Sequence, residues 1–63
     1  MIMRVCDILK LISETDDVVL NGPGELRLEG QAESIVAMVS EETMGMECYG
    51  ISVEDEAIAV WAR

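Results

Sequence analysis

"YGISVEDEAIAVWAR", Tyr49 to Arg63, decides the fold. Apolar residues alternate on both sides of three consecutive acids: Tyr49, Ile51 and Val53 before them, and Ile58, Val60 and Ala62 after. A period of two belongs to strands, and the gap between the runs is short enough only for a hairpin. None of Glu54, Asp55 and Glu56 readily accepts positive φ, which argues against a two-residue type I′ turn and predicts a four-residue loop. That loop sets Val53 opposite Ile58, Ile51 opposite Val60 and Tyr49 opposite Ala62, a predicted core face of six side chains. The reverse face then holds Cys48, Gly50, Ser52, Ala57, Ala59 and Trp61, with Trp61 across from Gly50, where a glycine leaves room for the ring.

Upstream, "TDDVVLNGPGELRLEG" shows the same period. Val18 and Leu20 alternate with Val19, and Leu26 and Leu28 alternate with Arg27, so a first hairpin is predicted. Pro23 and Gly24 suit the second and third positions of a type II turn. A five-residue loop from Asn21 to Glu25 would pair Leu20 with Leu26 and Val18 with Leu28. Before this hairpin, Val5, Ile8, Leu9 and Ile12 recur at helical spacing, with Asp7 early and Lys10 late, after a brief extended Ile2 to Arg4. Between the hairpins, Ala32, Ile35, Val36 and Val39 mark a second helix, stopped at Gly45 and starting either near Ala32 or at an N-cap Ser34. The order α-β-β-α-β-β predicts a single α+β domain over residues 1–63. Its four-stranded, mostly antiparallel sheet comes from two hairpins and is accompanied by two short helices.

The face carrying Trp61 is unusual. A sheet covered by helices on one side should be polar on the other, yet this side is small and apolar around one large ring. Either a helix covers it and Trp61 is core, or it is a self-association surface on which Trp61, Ala59, Ala57 and Gly50 pack against a second copy.

A chain of 63 residues buries only about 60% of the surface its unfolded form exposes, so its stability margin is thin. Self-association is one way to widen it. Cys6 and Cys48 have no CxxC spacing and read as small buried hydrophobes; with no signal-peptide pattern, a reducing cytosol is expected. Met1, Met3, Met38, Met44 and Met46 read as fillers of an irregular core. Although 51% of residues are apolar, no run reaches the ~18 of a membrane span. The net charge of −9 repels phosphate backbones and anionic membranes, so direct nucleic-acid and membrane binding are not expected; the acidity suits either a basic protein surface as partner or simply solubility.

No phosphate loop, dinucleotide fingerprint, metalloprotease helix or EF-hand occurs, and without histidine the usual general base is missing. The expectation is a protein without catalytic residues, cofactor or metal site. Acids bunch in two places, Glu14, Asp16 and Asp17, and Glu54, Asp55 and Glu56. Neither bunch promises the six to eight fixed oxygens of a calcium site. Arg27 and Arg63 are expected to form surface ion pairs worth at most about 1 kcal/mol each.

Three stretches together, "MRVCDILKLISETDDVVL", "ELRLEGQAESI" and "YGISVEDEAIAVWAR", resemble the very short acidic proteins of prophages and other mobile elements of Gram-positive gut bacteria. Some of those are similar to anti-CRISPR inhibitors of bacterial defence. The resemblance implies a phage-encoded inhibitor in the cytoplasm of a bacterial host. Glu14, Asp16, Asp17, Glu54, Asp55 and Glu56 would then approach the Lys and Arg residues that line the nucleic-acid channel of a host nuclease. The alternative is a small homodimeric structural or assembly module with no inhibitory role. A nucleotide-binding role is disfavoured, because a phosphate ligand needs basic residues or exposed N–H nests and the chain has four basic residues.

Overall fold

The computed structural model describes residues 2–63, and Met1 lies outside them. Its fold is α+β: α1 (Val5–Leu11), β1 (Asp17–Asn21), β2 (Arg27–Gln31), α2 (Ala32–Met38), α3 (Glu41–Met44), β3 (Cys48–Glu54) and β4 (Ala57–Ala62). The strands form one sheet in the order β2-β1-β4-β3. Both hairpins are antiparallel, and they join through a parallel β1–β4 pair with Val18 beside Ile58 and Leu20 beside Val60. A parallel pair needs a long crossover. Here β2, the two short helices and β3 supply it.

The registers assign the strand side chains to two faces, Tyr49 in the bulge of β3 excepted. On one side run the rows Leu28–Leu20–Val60–Ile51 and Gly30–Val18–Ile58–Val53. The helices cover the middle of these rows. Val5, Ile8 and Leu9 of α1 and Ala32 and Ile35 of α2 close on Val18, Leu20, Val60 and Ala62 to make the core. Leu20 and Ile35 are completely buried. From Gly50 onward the predicted parity is correct, but Cys48, expected on the reverse face, lies on the core side opposite Ala62, and the core face is smaller than predicted. Tyr49, Ile51 and Val53 are 55%, 51% and 74% exposed, because β3 is an edge strand beyond the reach of the helices.

The first hairpin keeps its predicted faces but not its predicted partners. Leu20 pairs with Leu28 and Val18 with Gly30, two residues away from the expected match. A slip of two preserves which side each residue points to, so the leucines still reach the core. Leu26 drops into the loop, where Gly22 N–H donates to its carbonyl oxygen (2.9 Å) and its own N–H donates to Pro23 O (3.4 Å). The turn thus spans Pro23 to Leu26, one residue later than expected. Gly24 does carry the anticipated positive φ, 68°.

The second hairpin has the reverse pattern. Val53–Ile58, Ile51–Val60 and Gly50–Trp61 pair as expected, but the turn is tighter. Glu54 pairs with Ala57, leaving a two-residue turn in which Asp55 and Glu56 have φ of 48° and 65°. The register set by apolar pairs across the strands outweighs the local reluctance of two acids to enter the left-handed region. A bulge between Cys48 and Gly50 then sets Cys48, rather than Tyr49, opposite Ala62.

The expected second helix is two. α2 ends at Met38, Val39 and Ser40 are extended, and the Ser40 Oγ accepts the Thr43 N–H (3.2 Å) to open α3. Gly45 closes α3 as predicted. Ser34 is not a cap, because α2 starts at Ala32 directly from β2, with Gln31 extended as N-cap. Gly30, at φ 152°, lies just before this junction. Arg4 is extended before α1 and bridges Glu47, and its N–H donates to Asp7 Oδ2 (3.1 Å). Met3, Met44 and Met46 fill the core margin as expected, but Met38 is 57% exposed. Cys6 and Cys48 are half-buried free thiols rather than fully buried ones; of the two, Cys48 packs against the core.

Candidate functional site: the open sheet face

The other side of the sheet carries the rows Arg27–Asn21–Trp61–Gly50 and Glu29–Val19–Ala59–Ser52. Asp17 precedes Val19 by two on this face, and Ala57 and Glu54 form its last pair. The core residues of the helices all close on the opposite side, so the helix-covered arrangement expected as one option for Trp61 does not occur. Trp61 is half-buried and lies over Gly50. A methyl built on Gly50 would sit 3.5 Å from Trp61 Cε3, an ordinary contact, so the ring's place over the backbone does not depend on the missing side chain.

Because its central residues are small, the twisted face is hollow. Val19, Ala57 and Ala59 floor a cleft of about 390 Å³, with Trp61 and Asn21 on its wall. Arg27 and Glu29 line one side, and Glu54 and Asp55 the other. Arg27 Nη2 lies 2.6 Å from Glu29 Oε1, with both side chains well exposed. The lining thus holds three carboxylates against one guanidinium, and the guanidinium is already engaged. An aromatic ring beside carboxylates with no cation of their own suits an ammonium or guanidinium group carried on an apolar stem.

The expected acidic residues do not form one surface. Glu54 and Asp55 line this cleft, and Asp17 is on the same face. Glu56 is in the β3–β4 turn, outside the cleft lining. Asp16 is engaged structurally: its carboxylate accepts the Ser13 N–H (3.0 Å) and its carbonyl accepts the Ala32 N–H (2.9 Å), which pins the loop before β1 to the start of α2. Glu14 belongs to a second depression, of about 410 Å³, between α1 and α2, where it joins Leu9, Lys10, Ile12, Ala32, Glu33 and Val36. The expected self-association residues Gly50, Ala57, Ala59 and Trp61 are brought together on one face. Reading the chain alone missed Glu29, Val19 and Asn21 as neighbours of that patch. Only the β1–β4 pairing, which nothing local signals, places them there.

Arg63 Nε donates to Glu47 Oε2 (3.1 Å), and its guanidinium carbon lies 5.1 Å from the Tyr49 ring centroid. Among the described residues Glu29 and Glu47 are the acids with a basic partner, which leaves eleven of the thirteen acids without one. No cluster of three or more potential metal ligands occurs among the described residues, and no helix is long and apolar enough to cross a membrane. No protein-family model, curated protein or solved structure matches the chain.

Proposed function

We propose that this is a non-catalytic binding protein that takes a basic protein surface onto its open sheet face. The observation that carries the reading is the cleft beside Trp61, lined by Glu29, Glu54 and Asp55 with Arg27 as its one cation. A Lys or Arg from the partner would lay its stem on Val19 and Ala57 and set its charge between the indole and the two carboxylates of the β3–β4 end. A cation–π contact is worth about 0.5 to 2 kcal/mol depending on desolvation. The surrounding excess of negative charge would add steering, which raises association rates and falls with salt.

In the setting that the family resemblance suggests, the basic surface is the nucleic-acid channel of a host defence nuclease, and the protein is an anti-CRISPR-like inhibitor in the bacterial cytoplasm. It would act by occupying that channel, with no reaction catalysed and no cofactor used. The acids are not laid out along one element at phosphate spacing, so the reading is occupation of a basic patch rather than imitation of a duplex.

Pull-down against a panel of such nucleases at low and high salt tests this. The expected outcome is salt-sensitive binding that weakens about tenfold in Trp61→Ala, one factor of ten being about 1.4 kcal/mol. The double change Glu54→Gln with Asp55→Asn should weaken it comparably. Binding indifferent to salt and to all three substitutions would refute the reading.

The alternative is a homodimeric assembly module joined through the Trp61 face. It is supported by the grouping of Gly50, Ala57, Ala59 and Trp61 on the face of the sheet that the helices leave open. It is opposed by charge, since stacking that face on its own copy would bring Asp17, Glu54 and Asp55 of both chains together.

A further inference from the structure

We infer that β3 pairs edge to edge with β3 of a second copy of this chain, antiparallel and centred on Ser52, to make one eight-stranded sheet. The starting point is an edge that nothing protects. β3 is outermost in the sheet, and the N-terminal segment occupies its outer lane only at Cys48, whose N–H donates to Met3 O (2.8 Å). From Gly50 to Glu54 that lane is free among the described residues. The other outer strand, β2, is defended by charge, with Arg27 and Glu29 paired along it. The free part of β3 instead offers Ile51 and Val53, both β-branched and both more than half exposed.

The hydrogen-bond parity fits. Because a two-residue turn joins Glu54 to Ala57, that pair closes the ladder with exchanged bonds, and the pairs alternate from there. Glu54 and Ser52 therefore direct their backbone groups toward β4, while Ile51 and Val53 direct theirs outward. An antiparallel copy centred on Ser52 sets Ile51 against the copy's Val53, and Val53 against its Ile51, so all four outward-facing groups of each strand segment gain partners. The exposed aliphatic side chains meet across the same junction. The contact is isologous and stops at two chains, because Met3 and Arg4 close the lane beyond.

Charge selects this register over others. It carries the acidic tip, Glu54 to Glu56, of one copy to the end of β3 where Arg63 stacks on Tyr49 in the other. Each dimer makes that contact twice. The net charge of −9 per chain opposes association, and the short pairing belongs to the weak class of interfaces burying less than about 1,200 Å². The two-fold axis runs perpendicular to the sheet, so both Trp61 clefts lie on the same side and form a bivalent surface. The pairing itself does not depend on what those clefts bind.

Sedimentation equilibrium and cysteine cross-linking test it, the latter in a background of Cys6→Ala and Cys48→Ala. The wild-type chain is expected to approach twice its monomer mass as concentration rises. Ser52→Cys should give a disulfide-linked dimer on mild oxidation, since residues opposed in a non-hydrogen-bonded pair come closest, and Glu29→Cys on the other edge should not. Val53→Lys should sediment as a monomer and still unfold cooperatively, at the melting temperature that the wild-type chain shows when dilute enough to be monomeric, because the side chain is 74% exposed. A wild-type chain that stays monomeric throughout, a dimer that survives Val53→Lys, or equal cross-linking from Ser52→Cys and Glu29→Cys overturns the pairing. A monomer that still captures a basic partner overturns the pairing alone.

Discussion

The turn at Asp55 and Glu56 offers a test of how the second hairpin is held. Both residues have left-handed φ, 48° and 65°, in a type I′-like geometry that favours Asn followed by Gly. Holding a residue with a Cβ there costs roughly 1 to 2 kcal/mol, less for Asp, whose short side chain tolerates the region. Replacing Glu56 with Gly removes the steric part and gives back about 0.5 to 1 kcal/mol through the greater freedom of glycine in the unfolded chain. Replacing Asp55 with Asn changes the conformational cost little. The two changes together remove two of three adjacent negative charges in a chain of net charge −9, for a further gain of a few tenths of a kcal/mol on the scale of exposed pairs. The double variant Asp55→Asn, Glu56→Gly should be stabilised by about 0.5 to 1 kcal/mol net. For a domain of this length that is a rise in melting temperature of roughly 5 °C. Urea and thermal melts followed by the fluorescence of Trp61, the only tryptophan, measure it. The urea slope should stay constant while the midpoint rises. A lower midpoint would refute the two-residue turn, because a four-residue loop gains nothing from Asn-Gly at these positions. The same variant should bind a basic partner more weakly, since Asp55 lines the cleft. Tolerating strain where carboxylates are displayed is consistent with their having a task there.

Two further substitutions probe the core and the open face. Leu20→Ala removes a completely buried side chain at the junction of both hairpins, which costs about 2 to 5 kcal/mol. Against a margin of about 3 to 5 kcal/mol for so small a domain, circular dichroism should show substantial unfolding at room temperature, and a cooperative melt near the wild-type temperature would contradict the assigned core. Gly50→Ala should be neutral or stabilising by up to about 1 kcal/mol, because the added methyl meets Trp61 at ordinary contact distance and the unfolded chain loses freedom. A loss of more than about 1 kcal/mol in a urea melt would mean that the ring lies closer to the backbone than 3.5 Å, beyond what the added methyl tolerates.

Some of this architecture is written locally. Alternation along 50 to 62 sets which face each residue takes, and that survives a wrong turn length; at the bulge it fails, and Cys48 moves to the core side opposite Ala62. The first hairpin shows how far such reasoning reaches: its register is two residues from the predicted one, yet Val18 and Leu20 still enter the core, because face depends only on parity. The stop at Gly45 was equally legible. The capping signal at Ser40 was present in the chain and passed over, because the apolar spacing of Ala32, Ile35, Val36 and Val39 suggested one continuous helix.

What the amino-acid order alone determined is the class of fold, the element types, the side of the sheet on which Trp61 lies and the acidity of the chain. These follow from short-range periodicity and from charge, which need no knowledge of distant neighbours. Tertiary structure decided the rest. Ile51 and Val53 alternate as regularly as Ile58 and Val60, yet Val60 is buried and Val53 is 74% exposed. The difference is that β4 pairs on both sides and β3 on one, and strand order is a long-range choice that no local pattern encodes. The same choice gathers Glu29, Val19 and Asn21 around Trp61, and it turns a run of alternating residues into a cleft on one face and a free edge beside it.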